Sequence, residues 1–191
     1  MAKKVKIGIV APSSRLDPET AGRVAKLAAE RHPAAQLVFH PQCHLSCGHF
    51  AGDDAARAAA FVEVANDPSF DALWFGRGGY GSARIAEAVL PRLGEAARRK
   101  TYLGYSDAGA LLAALYAAGF PGLAHGPMPA DIRRKGGEAA VARALDWLVA
   151  HAPAALEPSL AGGGKAVAFN LMTFSQLIGT PLEPDLAGHV L

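Results

Sequence analysis

An α/β fold, a parallel sheet with helices on both faces, is predicted for this chain by three observations. Short apolar runs alternate with longer helical runs over roughly the first 150 residues, the pattern of strands joined by crossover helices. The third apolar run, Phe70 to Phe75, is apolar throughout, as a strand covered on both faces must be. The composition is globular, with 51% hydrophobic and 19% charged residues in a chain of 191. That length suits one good-sized domain, or one domain and part of another.

Lys4 to Ala11 reads as the first strand, β-branched and apolar, ended by Pro12-Ser13-Ser14. Asp17 to Arg31 reads as a helix, with Asp17 as its cap and Pro18 at its first position, where a missing N–H costs nothing. Gln36 to His40 is the second strand, and Pro41 to Gly52 a long loop. Asp53 to Asn66 is an Ala-rich helix, again capped by Asp. After the third strand come Gly76-Arg77-Gly78-Gly79-Tyr80-Gly81 and a helix expected over Ser82 to Ala97. Thr101 to Leu103 is a short buried strand, Ala108 to Tyr116 a helix, Gly122 to Ala124 a last short strand, and Gly136 to Ala150 a helix. A sheet domain is therefore expected over residues 1–152 and a Pro-, Ala- and Gly-rich linker over 153–164. The incomplete start of a second domain follows over 165–191, since roughly 25 residues past a linker rarely make a stable domain alone. Within it Lys165 to Phe169 is expected as a strand, Asn170 to Ile178 as a short helix, and His189 to Leu191 as the opening of another strand.

The net charge of +2 is too mild to imply a nucleic-acid partner. No run approaches the ~18 apolar residues of a membrane span, and the first ten residues do not read as a signal peptide. No membrane partner and a cytoplasmic location are expected. Two cysteines, Cys43 and Cys47, make no disulfide framework.

In a parallel sheet the site lies at the carboxyl ends of the strands. Pro12-Ser13-Ser14, the Gly76 to Gly81 loop, Ser106 and His125 are all expected there. Ser106 sits on a turn of a residue or two between strand and helix, flanked by the small residues Gly104 and Ala108. That is the setting of a nucleophile elbow, with free N–H groups beside the hydroxyl to hold an oxyanion. It is equally the setting of a plain N-cap serine. Gly76, Gly78 and Gly81 match a dinucleotide spacing, but after the third strand and not the first. A loop that brings bare N–H groups to a reacting carbonyl, or a tight turn without a ligand, fits as well. His40, Cys43, His44, Cys47 and His49 have the composition of a zinc site. All would come from one loop, and a mobile polar loop with no metal is the expectation. His125 is open to three roles: general base, substrate ligand or structural histidine.

Several of these runs together resemble the LD-carboxypeptidases, serine peptidases that include murein tetrapeptide carboxypeptidase and the microcin-immunity peptidases. The resemblance rests on Phe50 to Arg57, Asp71 to Gly81, Gly104-Tyr105-Ser106-Asp107, His125-Gly126-Pro127-Met128, Asn170-Leu171 and Gly179-Thr180-Pro181, in the family's order over nearly the whole chain. It implies a two-domain enzyme with a flavodoxin-like first domain, and Ser106 as nucleophile. It also implies an oxyanion hole from the backbone N–H groups of Gly79 and Asp107, no cofactor, and often a homodimer. Arg77 and His125 are candidate substrate contacts from their loops. The reaction implied is hydrolysis between an L-centre and a C-terminal D-amino acid in muropeptides. A microcin-immunity-type peptidase acting on peptide–nucleotide conjugates, or a non-catalytic binding module of the same fold, are the alternatives. The family's triad is Ser-Glu-His, with Glu and His in the C-terminal domain. None of the seven histidines here matches that His, so the chain is expected to be a fragment with negligible turnover.

Overall fold

The computed structural model describes residues 4–159 and 164–190. Its sheet has five parallel strands, β1 (Val5–Val10), β2 (Ala35–Phe39), β3 (Ala72–Phe75), β4 (Thr101–Gly104) and β5 (Leu123–His125), in the order β2-β1-β3-β4-β5. This is the flavodoxin-like order. Among the described residues the helices are α1 (Pro18–Arg31), α2 (Asp54–Asn66), α3 (Ser82–Val89), α4 (Glu95–Arg98), α5 (Gly109–Ala117), α6 (Gly137–Ala150) and α7 (Leu171–Ser175).

Period-two alternation along the strands divides the interior into two cores. Ile7, Ile9, Ala72, Trp74 and Leu103 face α1 and α6. Val10, Leu73, Phe75 and Tyr102 face α2, α3 and α5. Both faces are covered, which is why β3 carries no polar side chain and all four of its residues are buried. The predicted caps hold: the Asp17 carboxylate accepts from the Thr20 N–H at 2.8 Å, and Asp53 accepts from the Ala56 N–H at 2.7 Å.

Two elements differ from expectation. The helix expected over Ser82 to Ala97 stops at Val89, continues as a 3-10 turn over Leu90–Arg92, and resumes only as α4. Pro91 has no N–H for the helical ladder, and Gly94 begins the next turn instead. The strand expected over Lys165 to Phe169 is reduced to a single parallel bridge between Ala166 and Val190, there being no further strand among the described residues to extend it. The segment after residue 164 lies back against α5. Leu177 and Leu182 are buried in the α5 core, and the Tyr116 hydroxyl lies 2.6 Å from His189 Nε2. No helix among the described residues is long and apolar enough to cross a membrane.

Candidate active site

Ser106 follows β4 after one residue and has φ of +58°, in the left-handed region. An L-residue there carries a cost of roughly 1–2 kcal/mol. It persists because the surroundings dictate the turn. Two residues back, a Cβ on Gly104 would come within 2.5 Å of the Phe75 ring, so only glycine lets the end of β4 pack this closely on β3. Two residues on, Ala108 is fully buried. The turn runs into a 3-10 segment, Ser106–Ala108, with no side chain capping it. The first N–H groups of such a turn, that of Asp107 among them, have no partner within it. A plain N-cap serine has extended backbone and caps its helix with its own oxygen. Ser106 does neither, so its geometry is that of a nucleophile elbow.

The glycine loop after β3 closes over this serine. A Cβ on Gly78 would sit 3.1 Å from Ser106 Oγ, so the two segments are in contact. Gly79 has φ of +132°, and a Cβ there would overlap the Ser14 hydroxyl. Glycine is thus required at 79, which is exposed and lines the same cleft as Ser106.

Buried polar side chains tie the loops together. The Asp107 carboxylate accepts from the Ser13 hydroxyl and, at 2.9 Å, from the Ser82 N–H, while the Ser82 hydroxyl donates to the Asp107 carbonyl. One aspartate thereby joins the loop after β1, the start of α3 and the elbow. Arg57, fully buried on α2, donates to the Pro12 carbonyl and, at 2.8 Å, to the Gly81 carbonyl, and pairs with Asp54. Its guanidinium lies 4.6 Å from the centre of the Phe50 ring. The Trp74 indole donates to the Pro127 carbonyl at 2.8 Å and holds the turn after β5.

A cleft of about 560 Å³ opens over Ser106. Arg77, Gly78, Gly79, Tyr105, Asp131 and Arg134 contribute to its walls. The Tyr105 hydroxyl donates to Asp131 Oδ1 at 2.8 Å, and burial followed by this bond raises its pKa. His125 does not line the cleft. Its ring packs edge-on against Tyr105, centroids 5.9 Å apart, and desolvation lowers its pKa although the residue as a whole is exposed. Ser106, Gly79, Asp107 and Arg77 therefore converge, and His125 stands behind Tyr105.

The family pattern of the LD-carboxypeptidase N-terminal domain (Peptidase S66) matches residues 7–126, well over half of the chain. The chain belongs to the LD-carboxypeptidase family. A Streptomyces coelicolor protein carrying a provisional carboxypeptidase name is 33% identical over 135 residues, 69% of this chain and 43% of that protein. A Synechocystis protein named in the same way is 28% identical over 165 residues, 82% of this chain and 52% of that protein. This LD-carboxypeptidase chain thus spans about half the length of the curated relatives it matches. In fold it is similar to muramoyltetrapeptide carboxypeptidase from Oxalobacter formigenes, with a TM-score of 0.74, 19% identity, and coverage of 95% of this chain and 62% of that one. A MccF-like protein from Bacillus anthracis gives a TM-score of 0.78 at 20% identity, covering 99% of this chain and 66% of that one.

The histidine- and cysteine-bearing loop of this LD-carboxypeptidase chain has structural work to do. Gln42 is buried and bridges the Ala11 N–H and the Ala11 and Ala51 carbonyls at 2.6–3.1 Å. The Cys43 thiol donates to the Ile9 carbonyl, His40 Nδ1 accepts from the Gln42 N–H, and His44 Nδ1 lies 2.8 Å from the Leu16 carbonyl. The first half of the loop is therefore pinned to the end of β1, contrary to a mobile polar loop. Among the described residues no three His, Cys, Asp or Glu side chains gather to hold a metal. Burial pushes the Cys43 thiol up to about 12, whereas Cys47 is exposed. A disulfide-exchange reagent is expected to titrate one thiol in the native chain and two after unfolding. Two fast native thiols would contradict the burial of Cys43.

Proposed function

We propose that Ser106 is the nucleophile of a serine peptidase that cleaves between an L-centre and a C-terminal D-amino acid, with cytoplasmic muropeptides as substrates. One observation carries this reading: a serine held at positive φ on a strand-to-helix turn, open to a cleft and touching a glycine loop. Ser106 Oγ attacks the carbonyl carbon and gives its proton to a general base. The Gly79 and Asp107 N–H groups hold the oxyanion. Collapse breaks the C–N bond, the D-amino acid leaves with the proton on its amine, and water then hydrolyses the acyl-serine. Arg77 lines the cleft and contacts substrate, while any contribution of His125 is made through the Tyr105 ring.

Among the described residues no imidazole lines the cleft, and the resemblance to the LD-carboxypeptidases implies a His and a Glu supplied by a C-terminal domain. We assign residues 165–191 to the start of that domain. The exposed Leu171, Met172, Ile178 and Val190 support this, being an apolar surface that a neighbouring layer would cover. Without a base a serine hydroxyl is a poor nucleophile. This 191-residue chain is accordingly expected to release no D-alanine from a murein tetrapeptide above background, whereas a form of the protein that carries the base releases it. A robust Ser106-dependent rate from the isolated chain would overturn the first expectation and require a base other than an imidazole among the residues that line the cleft.

The second reading keeps the chemistry and changes the substrate. It is favoured by the fold likeness, at a TM-score of 0.72, to the microcin C7 self immunity protein MccF, solved in complex with aspartyl sulfamoyl adenosine. Assaying a form of the protein that carries the base on both compounds separates the two. D-alanine release without cleavage of the nucleoside conjugate upholds the muropeptide reading, and the reverse sinks it.

A further inference from the structure

Three arginines, Arg77, Arg133 and Arg134, stand on the walls of the Ser106 cleft, against one aspartate, Asp131. That aspartate is already engaged. Its Oδ1 accepts from the Tyr105 hydroxyl at 2.8 Å and lies 3.2 Å from Arg134 Nη1, and its Oδ2 accepts from the Met128 N–H at 2.8 Å. Two of the arginines are also tethered elsewhere. Arg133 Nη1 donates to Asp17 at 3.2 Å, and Arg77 Nη1 to the Arg15 carbonyl at 3.3 Å.

Arg134 differs. Its Nη1 donates to the Tyr105 hydroxyl at 2.8 Å and faces Asp131, so one end of the guanidinium is held by a half-buried tyrosine and a buried aspartate. Among the described residues its Nε and Nη2 have no hydrogen-bond partner. Those two N–H groups lie on the same edge of the guanidinium and form the fork that takes a carboxylate side-on. The same edge is used elsewhere in this molecule: Arg31 Nε and Nη2 meet the two Asp146 oxygens at 2.7 and 2.6 Å. A fork fixed at one nitrogen and open on its bidentate edge loses less freedom on binding than a free surface arginine.

We propose that the Nε–Nη2 edge of Arg134, oriented by Tyr105 and Asp131, docks the free α-carboxylate of a peptide C-terminus in the Ser106 cleft, with Arg77 and Arg133 adding positive potential. This rests on the peptidase reading and deepens it. It makes cleavage an end-of-chain event, because a substrate without a terminal carboxylate leaves the fork empty. Tyr105 and Asp131 are positioning residues in this account.

The test is binding of N-acetyl-L-lysyl-D-alanine and of its C-terminal amide to the 191-residue chain, by calorimetry or amide chemical shifts. The acid is expected to bind about tenfold more tightly than the amide. Arg134→Gln is expected to weaken the acid about tenfold and leave the amide unchanged, while Arg134→Lys, which keeps the charge without the fork, falls between. Arg134 is mostly exposed, so folding should survive both changes. Equal affinities, no detectable binding of the acid, or a preference that survives Arg134→Gln overturn the proposal. Tighter binding of AMP than of the acid overturns the carboxylate assignment in favour of a phosphate. D-alanine release by a form of the protein that carries the base, without the acid preference, removes the carboxylate dock alone, whereas an intact preference without release removes the peptidase reading alone.

Discussion

Arg57→Ala is expected to destabilise the chain by about 3–5 kcal/mol, a large part of the 5–15 kcal/mol typical of a domain. The side chain is fully buried, and its removal has three consequences. The Pro12 and Gly81 carbonyls lose their donor, and a buried acceptor without a partner costs about 1–3 kcal/mol. A cavity opens beside Phe50, against which the guanidinium packs. The ion pair with Asp54 is lost, but that matters least. Asp54 is part-exposed and keeps Arg84, whose Nη2 lies 2.7 Å away. The origin of the loss can be checked with Arg57→Met, which restores much of the volume and none of the hydrogen bonds. It is expected to recover less than half of the deficit. Urea unfolding of the three proteins gives the answer, and a midpoint for Arg57→Ala close to the parent's would show that the two carbonyls find other partners. The same change loosens the loops after β1 and β3 relative to each other, since Arg57 holds one carbonyl from each.

Features decided by neighbours in sequence were legible without the structure. The Asp17 and Asp53 caps, Pro18 at a first helical turn and the apolar Phe70 to Phe75 run follow from local stereochemistry and period-two burial, and strand alternation led to the parallel sheet. Pro91 was equally local, but the Ala-rich run around it, ending at Ala97, concealed the break. The site divides in the same way. Gly104, Ser106 and Ala108 mark a sharp turn because small residues at fixed offsets allow it. That Ser106 takes positive φ depends on Phe75 across the strand pair, which spacing does not reveal. The pins are longer-range still. Ser13 and Asp107 are 94 residues apart, Arg57 and Pro12 45, and Tyr105 and Asp131 26. Ser13 was placed at the right end of the sheet and Arg57 lay in a run that resembled the family, yet nothing local distinguished either from a surface residue. Nothing local ties Asp131 and Arg134 to the serine, since they reach the cleft only once β5 has brought the following turn beside β4. The histidines and cysteines of the loop after β2 carry the composition of a metal site, whereas Gln42 between them fastens the loop to Ala11 and Ala51.

Substituting Ser106 should separate stability from chemistry. In a form of the protein that carries the base, the proposed mechanism requires Ser106→Ala to lower D-alanine release by a factor on the order of 10⁴ or more, the loss typical of a missing nucleophile. Only the hydroxyl goes, and no hydrogen bond of the fold depends on it among the described residues. The binding of an uncleaved peptide should therefore be nearly unchanged. Ser106→Gly should abolish activity as completely and yet fold better than Ser106→Ala. Alanine inherits the cost of φ at +58°, whereas glycine adopts that conformation freely. Part of the gain is offset by the larger freedom of glycine in the unfolded chain, leaving a difference of roughly 1 kcal/mol between the two variants. That difference can be measured by denaturant unfolding on the 191-residue chain itself, without any assay. Equal stability of the two would mean that the turn is not strained at this position, and the elbow would lose its physical basis. Activity within tenfold of the parent in Ser106→Ala would remove the nucleophile. The two results are independent, because the backbone conformation is dictated by Gly104, Phe75 and Asp107, whereas the chemistry needs the hydroxyl. A turn that costs stability and is kept with serine rather than glycine fits a site in which the hydroxyl has a use.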